Sequence, residues 1–128
     1  MAVGHCPAIG PEPGGRVVNL YRRLRAVIVL IGVFLWDLVA ASVSVARIVL
    51  SPRIRTCPAI VIVPVGLKRP WAVALFAYFT SLTPGSTCLH VSEDRTRLYI
   101  HVLDAPDAQR AATRFKRLYE RWIAELEA

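Results

Sequence analysis

AVIVLIGVFLWDLVAASVSVARIVL, Ala26 to Leu50, is a run of 25 mostly apolar residues with one acid, Asp37, near its middle. As a helix it is roughly 37 Å long, enough to cross the hydrocarbon of a bilayer with some tilt. A carboxylate at that depth is costly in lipid, so it faces a protein partner or a polar path. The stretch predicts a transmembrane helix that belongs to a larger assembly.

The rest of the chain agrees with that reading. Its 128 residues are 55% hydrophobic and carry a formal charge of +7. Arg16, Arg22, Arg23 and Arg25 precede the apolar stretch, and Arg47, Arg53 and Arg55 close and follow it. Arginines in those places suit anionic headgroups. They bracket an apolar span instead of forming one soluble basic face, so no nucleic-acid partner is expected. Cys6, Cys57 and Cys88 are odd in number and widely spaced, which fits idle thiols better than a disulfide framework.

Working outward, residues 1–15 are rich in Gly and Pro, and 1–20 read as a disordered tail. Residues 21–51 form the basic flank and the span, which Ser51-Pro52 ends. Residues 52–128 read as a small α+β domain. Ala59–Val63 is a continuous β-branched run between Pro58 and Pro64, predicting a buried strand. Pro70 to Leu82 predicts a helix too short to span a bilayer, with Trp71, Leu75, Tyr78, Phe79 and Leu82 on its core-facing or membrane-apposed side. Thr83-Pro84-Gly85-Ser86 has the sequence of a type II turn.

Thr87–Val91 and Arg97–Leu103 predict a hairpin. Pairing Leu89 with Ile100 and Val91 with Leu98 sets apolar against apolar. It also places Cys88 opposite His101 and His90 opposite Tyr99. A final amphipathic helix is expected from Asp104, its cap, to Ala128, with Pro106 in the first turn. Its apolar face runs through Ala108, Ala111, Ala112, Phe115, Leu118, Tyr119, Trp122 and Leu126. The expected fold class is therefore one transmembrane helix followed by a β-α-β-β-α sandwich.

Within the span, Asp37, Ala40, Ser44 and Arg47 recur at helical spacing and make one stripe. Small residues there let another helix approach closely, so these four are the candidate subunit-interface residues. Val29, Phe34, Leu35, Val39 and Val43 form the opposite, lipid-suited face. A cleaved signal peptide, with Ser44-Val45-Ala46 as the cleavage site, is the competing reading, but Asp37 and the apolar run beyond it argue against that.

No nucleotide loop, catalytic elbow or zincin motif occurs, so neither an enzyme nor a cofactor is expected. Cys88, His90 and His101 are a conceivable zinc set, better read as a polar outer face.

From Val49 onward, several motifs stand in order: Val49-Leu50-Ser51-Pro52, Pro58 with Ile60, Trp71, Leu82-Thr83-Pro84-Gly85, Val91-Ser92-Glu93-Asp94-Arg95, Leu98-Tyr99-Ile100-His101 and Asp104. This ordered set resembles the E subunit of the Mrp (Mnh, Pha) multisubunit sodium/proton antiporters. The resemblance implies an accessory membrane subunit, partnered by other antiporter subunits and the lipid bilayer. It also implies a C-terminal domain in the cytoplasm and ion paths mainly in the large subunits. That family usually carries further hydrophobic segments before this span, and residues 1–20 have none, so the chain reads as a short form. A stand-alone membrane-anchored binding module is the alternative.

Overall fold

The computed structural model describes residues 13–53 and 55–128, with side chains described from Val18 onward. Residues 1–12, the greater part of the expected tail, lie outside the described residues. Helix α1 runs Pro13–Leu50, about 57 Å along its axis. It therefore begins well before position 21, and residues 13–20 are its first turns. Proline suits that place because a first-turn N–H has no helical acceptor. Ser51 N–H returns to the Ile48 carbonyl at 3.3 Å, tightening the last turn before Pro52.

Strand β1 (Ala59–Pro64) and α2 (Pro70–Leu82) follow, then β2 (Ser86–Val91) and β3 (Arg97–Val102). The chain ends in a helical rod made of α3 (Ala108–Phe115), a π-helical turn (Lys116–Glu120) and α4 (Arg121–Glu127). The sheet is antiparallel in the order β1-β3-β2, with β3 central. Val61, Val63, Leu98 and Ile100 point to its buried face and meet Phe76 of α2 and Phe115, Tyr119 and Ile123 of the rod. Each such large side chain taken out of water contributes about 1.5–3 kcal/mol. The architecture is the expected α+β one, a long apolar helix followed by a small sheet covered by helices.

The described α1 is not separate from that domain. Ala26, Leu30, Asp37 and Ala41 are buried on one face, at helical spacing. Phe34, expected toward lipid, instead tilts against Phe79 of α2 with ring centroids 5.2 Å apart. Val29 is half-buried, while Leu35, Val39 and Val43 stay exposed. The reason for Phe34 is geometric: it lies three residues before Asp37 and shares its side of the helix.

Three other expectations are corrected. In α2 the buried residues are Ala72, Val73, Phe76 and Thr80, whereas Trp71, Tyr78 and Leu82 are exposed. The helix is apolar nearly all round, so its periodicity does not mark which side faces the domain. In the hairpin, Val91 faces Leu98 and His90 faces Tyr99 as expected, but Cys88 faces Ile100 and Thr87 faces His101. A bulge between Cys88 and His90 makes Leu89 the extra residue and resets the alternation. The rod is capped by Asp107, whose carboxylate accepts from Gln109 N at 3.0 Å and Arg110 N at 3.1 Å. Asp104 accepts instead from Cys57 N at 3.1 Å, tying β3's exit to β1's approach.

Candidate functional site

The Asp37 carboxylate is the centre of the polar chemistry on α1. Its residue is 2% exposed. A charge so enclosed needs partners of its own, since a buried unpaired carboxylate is strongly destabilising. Among the described residues, three side chains approach it. Arg114 Nη2 donates to Oδ1 in an ion pair. Tyr119 Oη donates to Oδ2 at 2.7 Å. Thr83 Oγ1 lies 3.4 Å from the same oxygen and 3.2 Å from Tyr119 Oη.

Local structure explains how these groups converge. Arg114 and Tyr119 are five residues apart, which in an α-helix would turn them about 140° away from each other. The π-helical turn over Lys116–Glu120 intervenes. An i→i+5 turn brings residues five apart toward one face, so both reach α1. Thr83 arrives from the turn after α2. Gly85 completes that turn at φ +86°, and Ser86 N–H bonds the Thr83 carbonyl at 3.3 Å, the geometry that Pro84-Gly85 favours. Tyr119 also stacks on Phe79, with centroids 5.4 Å apart. Burial raises the Tyr119 phenol above its ordinary range, and the Asp37 charge adds to that, so it stays a donor.

A cavity of about 80 Å³ opens beside the cluster. Asp37, Ser44, Thr83, Ser86 and Asp104 are among its polar lining, and Ala41, Val45 and Ile48 close the α1 side. It is large enough for a few waters.

Of the four stripe residues, Asp37 is the one buried against the domain, and Ser44 reaches the rim of the cavity beside it. Ala40, Ser44 and Arg47 are exposed on α1. Sequence reading assigned Asp37 a neighbouring subunit; within this chain it is already paired. Arg114 and Tyr119 were missed as its partners because no local signal links positions so far apart. Cys88, His90 and His101 are not brought together as a ligand set, because the bulge turns Cys88 to the Ile100 side. Burial pushes the Cys88 thiol up. Among the described residues no group of three or more His, Cys, Asp or Glu is placed to hold a metal.

One further polar clamp holds the domain. The Glu127 carboxylate accepts from Lys68 N at 2.8 Å and Arg69 N at 2.6 Å, and Glu120 accepts from Gly66 N at 2.6 Å. These bonds fix the loop that starts α2.

A long apolar helix packed on its own α+β domain, with one enclosed carboxylate between them, defines the class: a helix of membrane-crossing length with an intimately attached domain. Residues 18–50 are long and apolar enough to cross a membrane, by length and composition. The chain belongs to the family of Na+/H+ antiporter E subunits, matching the family described as Na+/H+ ion antiporter subunit over residues 6–126. It is 39% identical over 105 residues to the Na(+)/H(+) antiporter E subunit of Alkalihalophilus pseudofirmus, covering 82% of this chain and 66% of that protein. It is 33% identical over 110 residues to the E1 subunit of the Na(+)/H(+) antiporter of Staphylococcus aureus strain JH9, covering 86% and 67%. The chain thus spans about two thirds of the length of these relatives. Among solved structures, a chain of the archaeal membrane-bound sulfane sulfur reductase, a respiratory membrane complex, superposes with TM-score 0.68 at 28% identity. That match covers 80% of this chain and 63% of the other. A chain of the Mrp complex from Dietzia sp. DQ12-45-1b shares the fold, with TM-score 0.54 at 23% identity over 69% of this chain and 84% of the other.

Proposed function

We propose that this chain is an accessory and assembly subunit of a multisubunit Na+/H+ antiporter in the cell membrane. Its partners are the other antiporter subunits and the bilayer, and its α+β domain lies on the cytoplasmic side. The observation that carries the structural role is the pairing of Asp37. The one acid in the apolar stretch is held by Arg114 and Tyr119 of the same chain. A carboxylate fixed by an arginine and a phenol makes a poor proton relay and a good lock between helix and domain. Ala40 and Arg47 are exposed, with Ser44 at the rim of the cavity, and the small Ala40 and Ser44 supply the place where a helix of another subunit packs closely. The fold's occurrence in a respiratory membrane complex supports a part used for building membrane assemblies.

The test is Na+/H+ exchange and complex recovery in membrane vesicles from cells expressing the whole set of subunits. Omitting this chain is expected to reduce the amount of assembled complex. Asp37→Asn is expected to leave both assembly and most exchange in place. Abolished exchange by Asp37→Asn in a fully assembled complex would put the carboxylate on the proton path and overturn the proposal.

A further inference from the structure

The length of α1 admits two placements, across the bilayer or along its surface, and its packing separates them. The domain does not hang from the end of α1; it covers one side of the apolar stretch from end to end. Near the start, Arg25 meets Glu125 at 3.9 Å. In the middle, Phe34 meets Phe79, and Asp37 meets Arg114 and Tyr119. Near the end, Val45 reaches Gly85, and Ile48 lines the same cavity. From Arg25 to Val45 is about 30 Å of helix, the full thickness of the hydrocarbon.

A helix that crossed with this stretch would carry the domain into the hydrocarbon beside it. The domain is not built for lipid. Its antiparallel sheet is open, with β1 at one edge, and sheet edges facing lipid do not occur at that depth. The Arg114 side chain, level with Asp37, is 55% exposed, and a charge facing lipid there is costly. Trp36, next to Asp37, is 76% exposed. In a crossing helix it would sit at mid-bilayer; in a helix lying flat it sits at the wet boundary, which tryptophan favours.

The side of α1 away from the domain has the matching character. Leu24, Ile28, Ile31, Leu35 and Val39 are exposed there, at spacings of four, three, four and four. They stand nearly opposite the buried Ala26, Leu30, Asp37 and Ala41. An exposed apolar row of this kind marks a surface that meets lipid or protein. Charge favours lipid: Arg22, Arg23 and Arg25 at one end, and Arg47 and Arg53 at the other, are exposed and complement anionic headgroups.

We infer that α1 lies along the membrane surface, with Leu24, Ile28, Ile31, Leu35 and Val39 sunk into an anionic leaflet and the domain standing above it in water. The helix then has two apolar sides, one used by the domain and one by lipid, which is why its sequence has the hydropathy of a span. This inference deepens the antiporter-subunit reading and rests on the domain lying in water.

The test uses the full chain in a Cys6→Ser, Cys57→Ser and Cys88→Ser background, reconstituted into phosphatidylcholine/phosphatidylglycerol vesicles. Leu24→Cys, Ile31→Cys, Leu35→Cys and Val39→Cys, made singly, each carry a fluorophore that lipids spin-labelled at graded depths quench. One shallow depth for all four is expected, about 5–10 Å into the leaflet. A depth that grows steadily from position 24 to position 39, as in a crossing helix, overturns the inference. Leu20→Cys and Leu50→Cys are expected to react with a membrane-impermeant maleimide from the same side of sealed vesicles; reaction from opposite sides overturns it. On flotation, recovery with vesicles of phosphatidylcholine alone is expected to fall about tenfold or more, and equal recovery removes the anionic leaflet as the occupant. In the reconstituted complex with the other antiporter subunits, quenching at positions 31 and 35 is expected to persist. Its loss there puts a protein helix on this face and overturns lipid as the occupant. A wild-type chain that recovers no antiporter subunit on co-expression overturns the functional reading itself, while the depth profile of the chain alone still decides how α1 lies.

Discussion

Tyr119 donates its phenolic hydrogen to Asp37 at 2.7 Å across 82 positions of sequence. The bond ties the middle of α1 to the middle of the C-terminal rod, and it sits beside the Arg114 ion pair and the Phe79 ring. Helix and domain are joined there by chemistry that each half lacks alone.

Tyr119→Phe keeps the ring stack but removes a donor from an enclosed carboxylate. A hydrogen bond to a charged group contributes about 1.5–3 kcal/mol. A loss in that range is expected in denaturant titration of the detergent-solubilised protein. Asp37→Asn keeps an acceptor for Tyr119 and loses only the pairing with a half-exposed arginine, so a smaller loss, about 1 kcal/mol, is expected. If the two variants cost the same, the phenol is not a separate support for the carboxylate.

The same phenol predicts behaviour in alkali. Burial raises its pKa above the ordinary value of 10, so the folded state favours the protonated form. Its contribution is complete below about pH 10 and is lost as pH rises beyond that, because only the unfolded chain ionises readily there. Wild type is expected to lose stability faster than Tyr119→Phe above that pH. Parallel pH curves for the two proteins would contradict this.

Asp94 gives the acid-side counterpart. Its carboxylate accepts from Ser92 Oγ at 2.6 Å, Thr96 Oγ1 at 2.7 Å and Thr96 N at 3.2 Å, which pulls its pKa down to about 2. A depressed pKa favours the folded state above the ordinary value near 3.8 and ceases to do so as pH falls toward 2. The β2–β3 turn is expected to loosen in that window. An NMR titration of Asp94 with a midpoint near 4 would remove the basis for it.

Gly85 is held at φ +86° with its Cβ position 3.3 Å from Val45 Cγ2 of α1. Alanine there meets both backbone strain, about 1–3 kcal/mol, and a crowded neighbour. Gly85→Ala is expected to lower the melting temperature, and Val45→Ala is expected to recover only part of the loss. Full recovery would show that crowding alone mattered.

Glu127 accepts two backbone N–H groups at the start of α2. Glu127→Gln keeps an acceptor without the charge, and Glu127→Ala keeps neither. The alanine variant is expected to cost about 1 kcal/mol, as lost helix caps do, and the glutamine variant less. Hydrogen exchange at Lys68 and Arg69 reads the difference directly; protection unchanged in both variants would count against the clamp.

Much of this was legible in sequence because it rests on local rules. The apolar run, the proline stop at Ser51-Pro52, the β-branched strand beginning at Ala59 and the helix Pro70–Leu82 each follow from side-chain chemistry within a few residues. So does the Pro84-Gly85 turn, since only one of its residues must take a positive φ and glycine stands there. The candidate subunit stripe was drawn from the same periodicity, which tells that Asp37 shares a side with Ala40 and Ser44 but not what covers that side.

Tertiary structure alone decided the rest. The face of α2 went to Ala72, Val73 and Phe76, and the sequence did not mark it because an all-apolar helix offers no contrast for periodicity to read. The bulge at Leu89 shifted Cys88 onto Ile100 because one unpaired residue reverses the alternation of a strand, and nothing in six residues announces it. The partners of Asp37 came from positions 83, 114 and 119, brought together by a tight turn and a π-helical turn. A buried charge fixes that it must be neutralised; which distant arginine and phenol do so depends on how the chain closes on itself.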